Sequence, residues 1–165
     1  MLQGPGCLNF TLILRIRKPG PLENIGSTNR FILDRHRQAL AQLLGRAVSI
    51  QGSTDLTLDG LKFSGNSQRR KTQWLLFHGT FLLSLDLPLM ETLLPLPSRQ
   101  PAYRADRSHR KFLTQLSVHP TRLKEALKQA WDAHRPAGAA PKMEINRLMK
   151  DRYSQPDWNL RTILP

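Results

Sequence analysis

The sequence lacks the features that mark several specialised classes of protein. Its single cysteine, Cys7, excludes an intramolecular disulfide framework and a cysteine-rich zinc site. The 10 glycines and 12 prolines among 165 residues are close to average usage, which excludes collagen-like and low-complexity chains. No segment reaches the roughly 18 uninterrupted apolar residues of a membrane-spanning helix. Even residues 81–96, the most apolar window, contain Asp86 and Glu91. We therefore expect one soluble, cytoplasmic domain.

Acidic residues are also scarce. The sequence contains 12 Asp and Glu but 25 Lys and Arg, which gives a net charge of +13. No acid precedes Glu23, and none lies between Asp59 and Asp86. Such a surface attracts nucleic acid, nucleotide phosphates or an acidic protein. The sequence has no zinc-finger spacing, aromatic ribonucleoprotein signature or leucine-zipper heptad. Charge alone therefore predicts only salt-sensitive contact with nucleic acid, which we disfavour as the partner.

The spacing of apolar and turn-forming residues predicts an α+β domain. Leu8–Ile16 is rich in strand formers and predicts a buried strand. A helix is expected from Ser27 or Thr28 to Leu44, where Gly45 ends it. Short turns between consecutive strands favour an antiparallel or mixed sheet with helices packed on it. The other predicted elements are strands at 47–51, 54–58, 61–64, 73–77 and 80–85, a surface loop at 95–108, and helices at 121–134 and 142–152.

The segment Gly52–Leu85 contains the candidate site. Asp59-Gly60 predicts a tight hairpin that places Lys62 on the return strand. The tetrapeptide Ser64-Gly65-Asn66-Ser67 follows, and we expect a turn there, since its glycine lets a phosphate or carboxylate approach the backbone N–H groups. Lys62 would supply a fixed cation beside that turn, and His78-Gly79-Thr80 would lie where the next two strands meet. Small residues after a hairpin also form ordinary turns, so both interpretations stay open on pattern alone.

These motifs together resemble the lipoate–protein ligase family. They are D-L…D-G-x-K-x-S-G-N-S-x-R-R at residues 55–70, H-G-T at residues 78–80, and GPGCLNFTLIL at residues 4–14. The resemblance implies a partial biotin/lipoate ligase-like catalytic domain at residues 1–118, with residues 119–165 as a C-terminal helical segment of the same domain. The family's R-R-x-x-G-G-G motif would lie just upstream of Leu2, so an N-terminally truncated domain is expected.

The resemblance implies ATP-dependent acyl transfer in two steps. Lipoate or octanoate and ATP form an acyl-adenylate, and the acyl group then passes to a lysine of an acidic apo lipoyl carrier domain. Lys62 corresponds to the essential lysine that holds the charged oxygens of the adenylate. Asp55 matches a position near the phosphate and Mg²⁺, which prefers carboxylate oxygen. The residues implied to bind substrate or nucleotide are Gly4, Gly6, Ser64, Gly65, Asn66, Ser67, His78, Gly79 and Thr80.

Some proteins that share this fold transfer the acyl group through a cysteine thioester instead. Their nucleophile lies just before the D-G hairpin or in a C-terminal segment. Here residues 47–54 contain no cysteine, and none follows Cys7. Cys7 begins a strand and is expected to be packed in the protein interior. The sequence therefore favours adenylate chemistry. The alternative is a non-catalytic fragment that binds an acidic protein or nucleic acid.

Overall fold

A computed structural model describes residues 3–160 of the chain. Residues up to Asp132 form one compact unit, and residues from Ala133 form a second. The predicted division at residues 118 and 119 stays a prediction. The strands are β1 Cys7–Arg15, β2 Ser49–Gln51, β3 Asp55–Leu58, β4 Leu61–Arg70 and β5 Trp74–Leu82. The helices are α1 Ile25–Leu44, α2 Leu87–Leu93, α3 His109–Phe112, α4 Pro120–Ala130, α5 Lys142–Leu148 and α6 Pro156–Asn159.

The strands form one antiparallel sheet in the order β1-β5-β4-β3-β2. This confirms the predicted α+β class with helices against a sheet. The hairpin between β3 and β4 also has its predicted turn, because Asp59 and Gly60 have φ values of 49° and 74°. Positive φ at both central residues suits a two-residue hairpin turn, and Gly60 adopts it without strain.

Two predictions in the central strands are wrong. Ser64-Gly65-Asn66-Ser67 lies inside the continuous strand β4 and forms no turn. The separate strands predicted at 73–77 and 80–85 are one strand, β5, so His78-Gly79-Thr80 lies in mid-strand. Small and polar residues are poor strand formers in isolation, but ladder hydrogen bonds to both neighbouring strands outweigh that preference here.

The hydrophobic core of the first unit lies between the sheet and α1. Its completely buried residues include Phe63, Phe77 and Phe81 of the sheet and Ile32 and Leu33 of α1. Aromatic rings supply much of the buried apolar area, and apolar burial is the main stabilising contribution. This packing fixes β4 and β5, which carry most of the candidate site.

Strand β1 is less buried than predicted. It is one of the two edge strands of the described sheet, and its burial largely alternates along the strand. Leu12 and Leu14 are half-buried against the core, whereas Ile13 on the other face is 67% exposed. A strand with one covered face shows this alternation, while the run of strand formers in the sequence suggested burial on both faces.

The termini of α1 differ in how well the sequence predicted them. The predicted start at Ser27 or Thr28 is wrong, because the helix begins at Ile25 and its N-cap is Asn24. The Asn24 side chain accepts a hydrogen bond from the Ser27 N–H at 2.9 Å, while the Ser27 hydroxyl accepts one from the Asn24 N–H at 3.3 Å. This is a reciprocal capping box. Gly45 ends the helix in the left-handed region, as predicted.

The remaining segments also depart from the predicted boundaries. Helix α4 ends at Ala130 and not at residue 134. The predicted helix at 142–152 divides into α5 and a π-helical turn, Met149–Tyr153. The predicted loop at 95–108 contains a 3₁₀ turn at Ala102–Arg104. None of the helices within residues 3–160 is long and apolar enough to cross a bilayer.

Candidate active site

A β-bulge brings Lys62 over Gly65. Leu56 of β3 lies opposite Ser64, and the next residue, Thr57, lies opposite Lys62. Strand β4 therefore contains one extra residue at this point. In a regular strand, residues three apart point to opposite faces, but the extra residue resets the alternation. A Cβ atom at Gly65 would lie 3.1 Å from Nζ of Lys62, so both positions share one face.

Asp55 holds the amine of Lys62 in this position. The Asp55 Oδ1 atom lies 2.9 Å from Nζ of Lys62, and the two side chains are only 11% and 26% exposed. Asp55 is also the register partner of Gly65. Because Gly65 has no side chain, the Asp55 carboxylate and the Lys62 amine can occupy the space above it. Water screens a partly buried ion pair less than a surface pair. The position of the lysine amine is therefore set by the sheet.

Tyr103 completes this group from the 3₁₀ turn. Its hydroxyl donates a hydrogen bond of 2.7 Å to Oδ2 of Asp55. Burial and the adjacent carboxylate raise the pKa of Tyr103, because a phenolate beside Asp55 is unfavourable. The phenol therefore remains a hydrogen-bond donor and orients Asp55 toward Lys62. The sequence analysis missed Tyr103, whose only signal was an aromatic residue in a polar, proline-containing loop.

Asp55 and Lys62 line a cleft of about 610 Å³ between the sheet and the segment that contains α2 and α3. The sheet contributes mainly polar groups, whereas Met90, Leu94, Phe112 and Leu113 form an apolar wall. Nearly all of the predicted site residues meet here. The predicted residues in the lining are Asp55, Lys62, Ser64, Gly65, Asn66, Ser67, His78, Gly79 and Thr80.

The side chain of Asn66 faces away from Lys62. It follows Gly65 directly in β4, so the two positions point to opposite faces of the sheet. Its Nδ2 atom donates to the Thr54 carbonyl at 2.7 Å. A Cβ atom at Gly79, the register partner of Asn66, would lie 1.9 Å from Asn66 Oδ1. A side chain at Gly79 would therefore clash with Asn66. The bond from Asn66 to Thr54 connects β4 to the segment that precedes β3. Direct contact of Asn66 or Gly79 with a ligand stays a prediction.

Thr80 belongs to a polar row on the face of the sheet that carries Lys62. Gly65 is its register partner in β4, and Asn9 is its partner in β1. The Thr80 hydroxyl donates to Asn9 Oδ1 at 2.6 Å. His78 lies exposed on the same strand, opposite Ser67. Asn9 also lines the cleft, but the sequence analysis missed it within an apolar strand.

Gly4 and Gly6, predicted as nucleotide-binding residues, are not part of the cleft lining that the structure describes. Gly6 has a φ of +89°, and a Cβ atom there would lie 2.4 Å from the backbone carbon of Ser84. Its carbonyl accepts a hydrogen bond of 2.7 Å from the Leu83 N–H. Gly6 thus allows β1 to begin against the end of β5. The carbonyl of Gly4 accepts a bond from the Cys7 N–H in the preceding turn.

The residues present do not fit a protein-held metal ion. Within residues 3–160, no group of three or more His, Cys, Asp or Glu side chains could bind one. Both oxygens of Asp55 already have partners, Lys62 and Tyr103. The predicted role of Asp55 near Mg²⁺ therefore gains no support from this geometry, and we derive no step through a metal.

Cys7 is not among the residues that line the cleft, but it packs against an apolar cluster that includes Phe112 and Leu113 of the apolar wall. It is half-buried, and the cluster also includes Leu82 and Leu85. Cysteine often serves as a small apolar residue in such a position. The environment agrees with the packing role that the sequence predicted for Cys7.

Comparisons with known proteins identify similar sequences. A family model described as the lipoyl protein ligase A/B catalytic domain matches residues 1–131. Two curated relatives, octanoyltransferase LipM of Brevibacillus brevis and of Symbiobacterium thermophilum, are each 28% identical to this chain over 125 and 127 residues. Each alignment covers 65% of this chain and 44% of the relative. The chain thus spans less than half the length of these relatives.

Solved structures share the fold. A bi-partite lipoate protein ligase of Thermoplasma acidophilum, studied with its E2 lipoyl domain, superposes with a TM-score of 0.77 at 20% identity. Lipoate-protein ligase A bound with ATP gives a TM-score of 0.74, also at 20% identity. Each superposition covers 94% of this chain, and 64% and 65% of the respective structures. At this identity the likeness establishes the fold alone.

Proposed function

Because the chain belongs to the lipoyl protein ligase A/B catalytic domain family, we propose that its cleft binds an acyl-adenylate and transfers the acyl group to a lysine of a carrier domain. The observation that carries this proposal is the amine of Lys62, which Asp55 holds above Gly65 inside the cleft. A cation fixed over a glycine of an otherwise polar strand suits a negatively charged group that approaches the backbone closely.

Lys62 acts on the bond between the acyl carbonyl and the phosphate. Negative charge develops on the α-phosphate oxygens while the acid attacks ATP and pyrophosphate departs, and on the carbonyl oxygen while the carrier lysine attacks the adenylate and the phosphate departs. The Lys62 ammonium stabilises both charges through hydrogen bonds to these oxygens. Asp55 and Tyr103 keep the ammonium oriented before the ligand binds, so that little reorganisation is needed in the transition state.

The composition of the cleft favours a medium-chain acid. Its apolar wall, formed by side chains such as Met90, Leu94 and Leu113, suits an aliphatic chain. The polar side chains of the sheet on the other side of the cleft suit the charged and polar groups of the adenylate. Two curated relatives are named octanoyltransferases, and some solved neighbours are lipoate ligases, so octanoate and lipoate are both proposed substrates.

The proposed acyl acceptor is an acidic lipoyl domain in its apo form. The net charge of +13 would favour its approach and orientation, with a dependence on salt. The archaeal ligase that shares the fold was studied together with its E2 lipoyl domain. A macromolecular partner of the same type is therefore proposed for this chain.

The acyl group could be activated by ATP or delivered through a cysteine thioester. Transfer through a thioester would need a cysteine that faces the cleft, and Cys7 is half-buried behind the apolar wall and is not part of the lining. The charged pair of Asp55 and Lys62 needs no thiol to act on an adenylate. We therefore favour the adenylate over direct transfer from an acylated carrier.

A radiolabel assay separates the two routes. Labelled octanoate or lipoate is incubated with an apo E2 lipoyl domain in the presence and absence of ATP, and octanoylated carrier is offered as donor in a third arm. We expect labelled carrier only when ATP and the free acid are both present, together with ATP–pyrophosphate exchange. A carrier whose acceptor lysine is changed to arginine is the control. Transfer from the octanoylated carrier without ATP would instead establish a transferase.

A further inference from the structure

Arg104 is an unexplained charge in the cleft. It lies at the end of the 3₁₀ turn, lines the cleft and is only 5% exposed. Its Nη2 atom is buried and has no hydrogen-bond partner within residues 3–160. A buried donor without a partner loses its hydration without compensation. A side chain of this kind indicates a missing acceptor.

The surroundings of Arg104 position its guanidinium without neutralising it. Nε donates to the Arg107 carbonyl at 3.1 Å, and the guanidinium carbon lies 4.6 Å from the centre of the Phe112 ring. Arg107 itself donates to backbone carbonyls, including that of Tyr103 at 2.7 Å. These hydrogen bonds fix the conformation of the loop that contains both arginines, while their two positive charges repel each other. Burial and Arg107 accordingly lower the pKa of Arg104.

Asp106 attracts Arg104 electrostatically, but no carboxylate forms an ion pair with Arg104 in the described part of the chain. Asp106 accepts a hydrogen bond of 2.7 Å from Gln100. Asp55, the partner of Tyr103, forms its ion pair with Lys62. Since Asp55 neutralises much of the charge of Lys62, a phosphate in the cleft needs a second cation.

We propose that Arg104 forms a phosphate subsite on the helical wall of the cleft and binds the phosphate of the nucleotide. The inference rests on the proposed function and extends it to a residue outside the Lys62 motif. A guanidinium offers several N–H donors in a planar fork that matches phosphate oxygens. Lys62 then contacts the acyl–phosphate junction, while Arg104 holds the phosphate from the other side of the cleft.

Binding measurements on three variants test this subsite. Arg104→Met keeps the packing on Phe112 and removes the charge, Arg104→Lys keeps the charge, and Arg99→Met removes an exposed arginine of the same loop as the control. Isothermal titration with ATP, AMP and octanoate gives each dissociation constant. We expect Arg104→Met to weaken ATP and AMP about tenfold to hundredfold, the range for a hydrogen bond to a charged group. Octanoate binding and the Arg99→Met variant should match the wild type, and Arg104→Lys should recover part of the loss.

Thermal unfolding without ligand separates this role from a structural one. Removing a buried charge that lacks a partner should leave the melting temperature of Arg104→Met at or above that of the wild type. A lower melting temperature with unchanged ATP affinity would show that Arg104 is structural and overturn the proposal. A loss of octanoate affinity in place of ATP affinity would overturn it as well.

The subsite and the proposed function can fail separately. If the wild type binds ATP and the affinity depends on Arg104, the subsite stands even when no acyl-adenylate forms. If ATP-dependent acylation proceeds with the same ATP affinity in Arg104→Met, the function stands and the subsite is wrong. A wild type that binds neither ATP nor AMP overturns the subsite.

Discussion

Replacing Lys62 by alanine is expected to lower the rate of acyl-adenylate formation by about 10²- to 10³-fold, the cost of removing one preorganised donor to a developing anion. The effect follows from the position of the Lys62 amine on the cleft face of the sheet, where its Nζ atom lies 2.9 Å from Oδ1 of Asp55. ATP–pyrophosphate exchange with octanoate measures the rate. Lys71→Ala is the matched control, since Lys71 is an exposed lysine just beyond β4.

Gly65→Ala tests whether position as well as charge is required. The added Cβ atom would lie 3.1 Å from Cε and Nζ of Lys62, at the flexible end of that side chain. The fold should therefore survive, while the amine is displaced and the rate falls by a smaller factor than in Lys62→Ala. Equal exchange rates in wild type, Lys62→Ala and Gly65→Ala would remove Lys62 from the mechanism.

Acidification is expected to destabilise the first unit through His36 of α1. This residue is 1% exposed, and its Nε2 atom accepts a hydrogen bond of 2.9 Å from the Trp131 indole. Burial, and secondarily Arg35, lower the pKa of His36 to about 4. In the unfolded chain the ordinary value of about 6.5 applies.

The sign follows from proton uptake in the two states. Above pH 6.5 both states have a neutral His36, so its contribution to stability is complete. Between pH 6.5 and 4 the unfolded state binds more protons, and the free energy of unfolding falls by about 1.4 kcal/mol per pH unit. The loss totals about 3 kcal/mol and ends once His36 is also protonated in the folded state.

Urea unfolding at several pH values between 7.5 and 4 measures this loss. His36→Gln, which cannot titrate but keeps an acceptor for Trp131, should show a shallower decline than the wild type. His134→Gln, at an exposed histidine, is the control and should follow the wild type. The same pH dependence in wild type and His36→Gln would mean that carboxylates alone cause the acid sensitivity.

The sequence predicted the features that local interactions determine. The turn at Asp59-Gly60 follows from two residues that tolerate positive φ, and the end of α1 follows from Gly45. These features depend on residues close in sequence, so their patterns are readable without the fold.

Long-range pairing determined what the sequence analysis missed. Ser64-Gly65-Asn66-Ser67 reads as a turn because small polar residues favour one, yet neighbouring strands hold it in β4. The bulge that turns Lys62 toward Gly65 exists only in the pairing of β3 with β4. Tyr103 reaches Asp55 across 48 residues, and no local pattern connects the two. Such contacts require the register of the sheet and the course of the loop.

A crystal structure with a non-hydrolysable octanoyl-adenylate analogue tests the central claim most directly. We predict that Nζ of Lys62 lies about 3 Å from the oxygens at the acyl–phosphate junction, as expected for a hydrogen bond between charged groups. The adenylate should lie against Gly65, with the acyl chain along the apolar wall. An analogue that binds outside this cleft, or one whose phosphate lies beyond hydrogen-bonding distance of Lys62, would contradict the account.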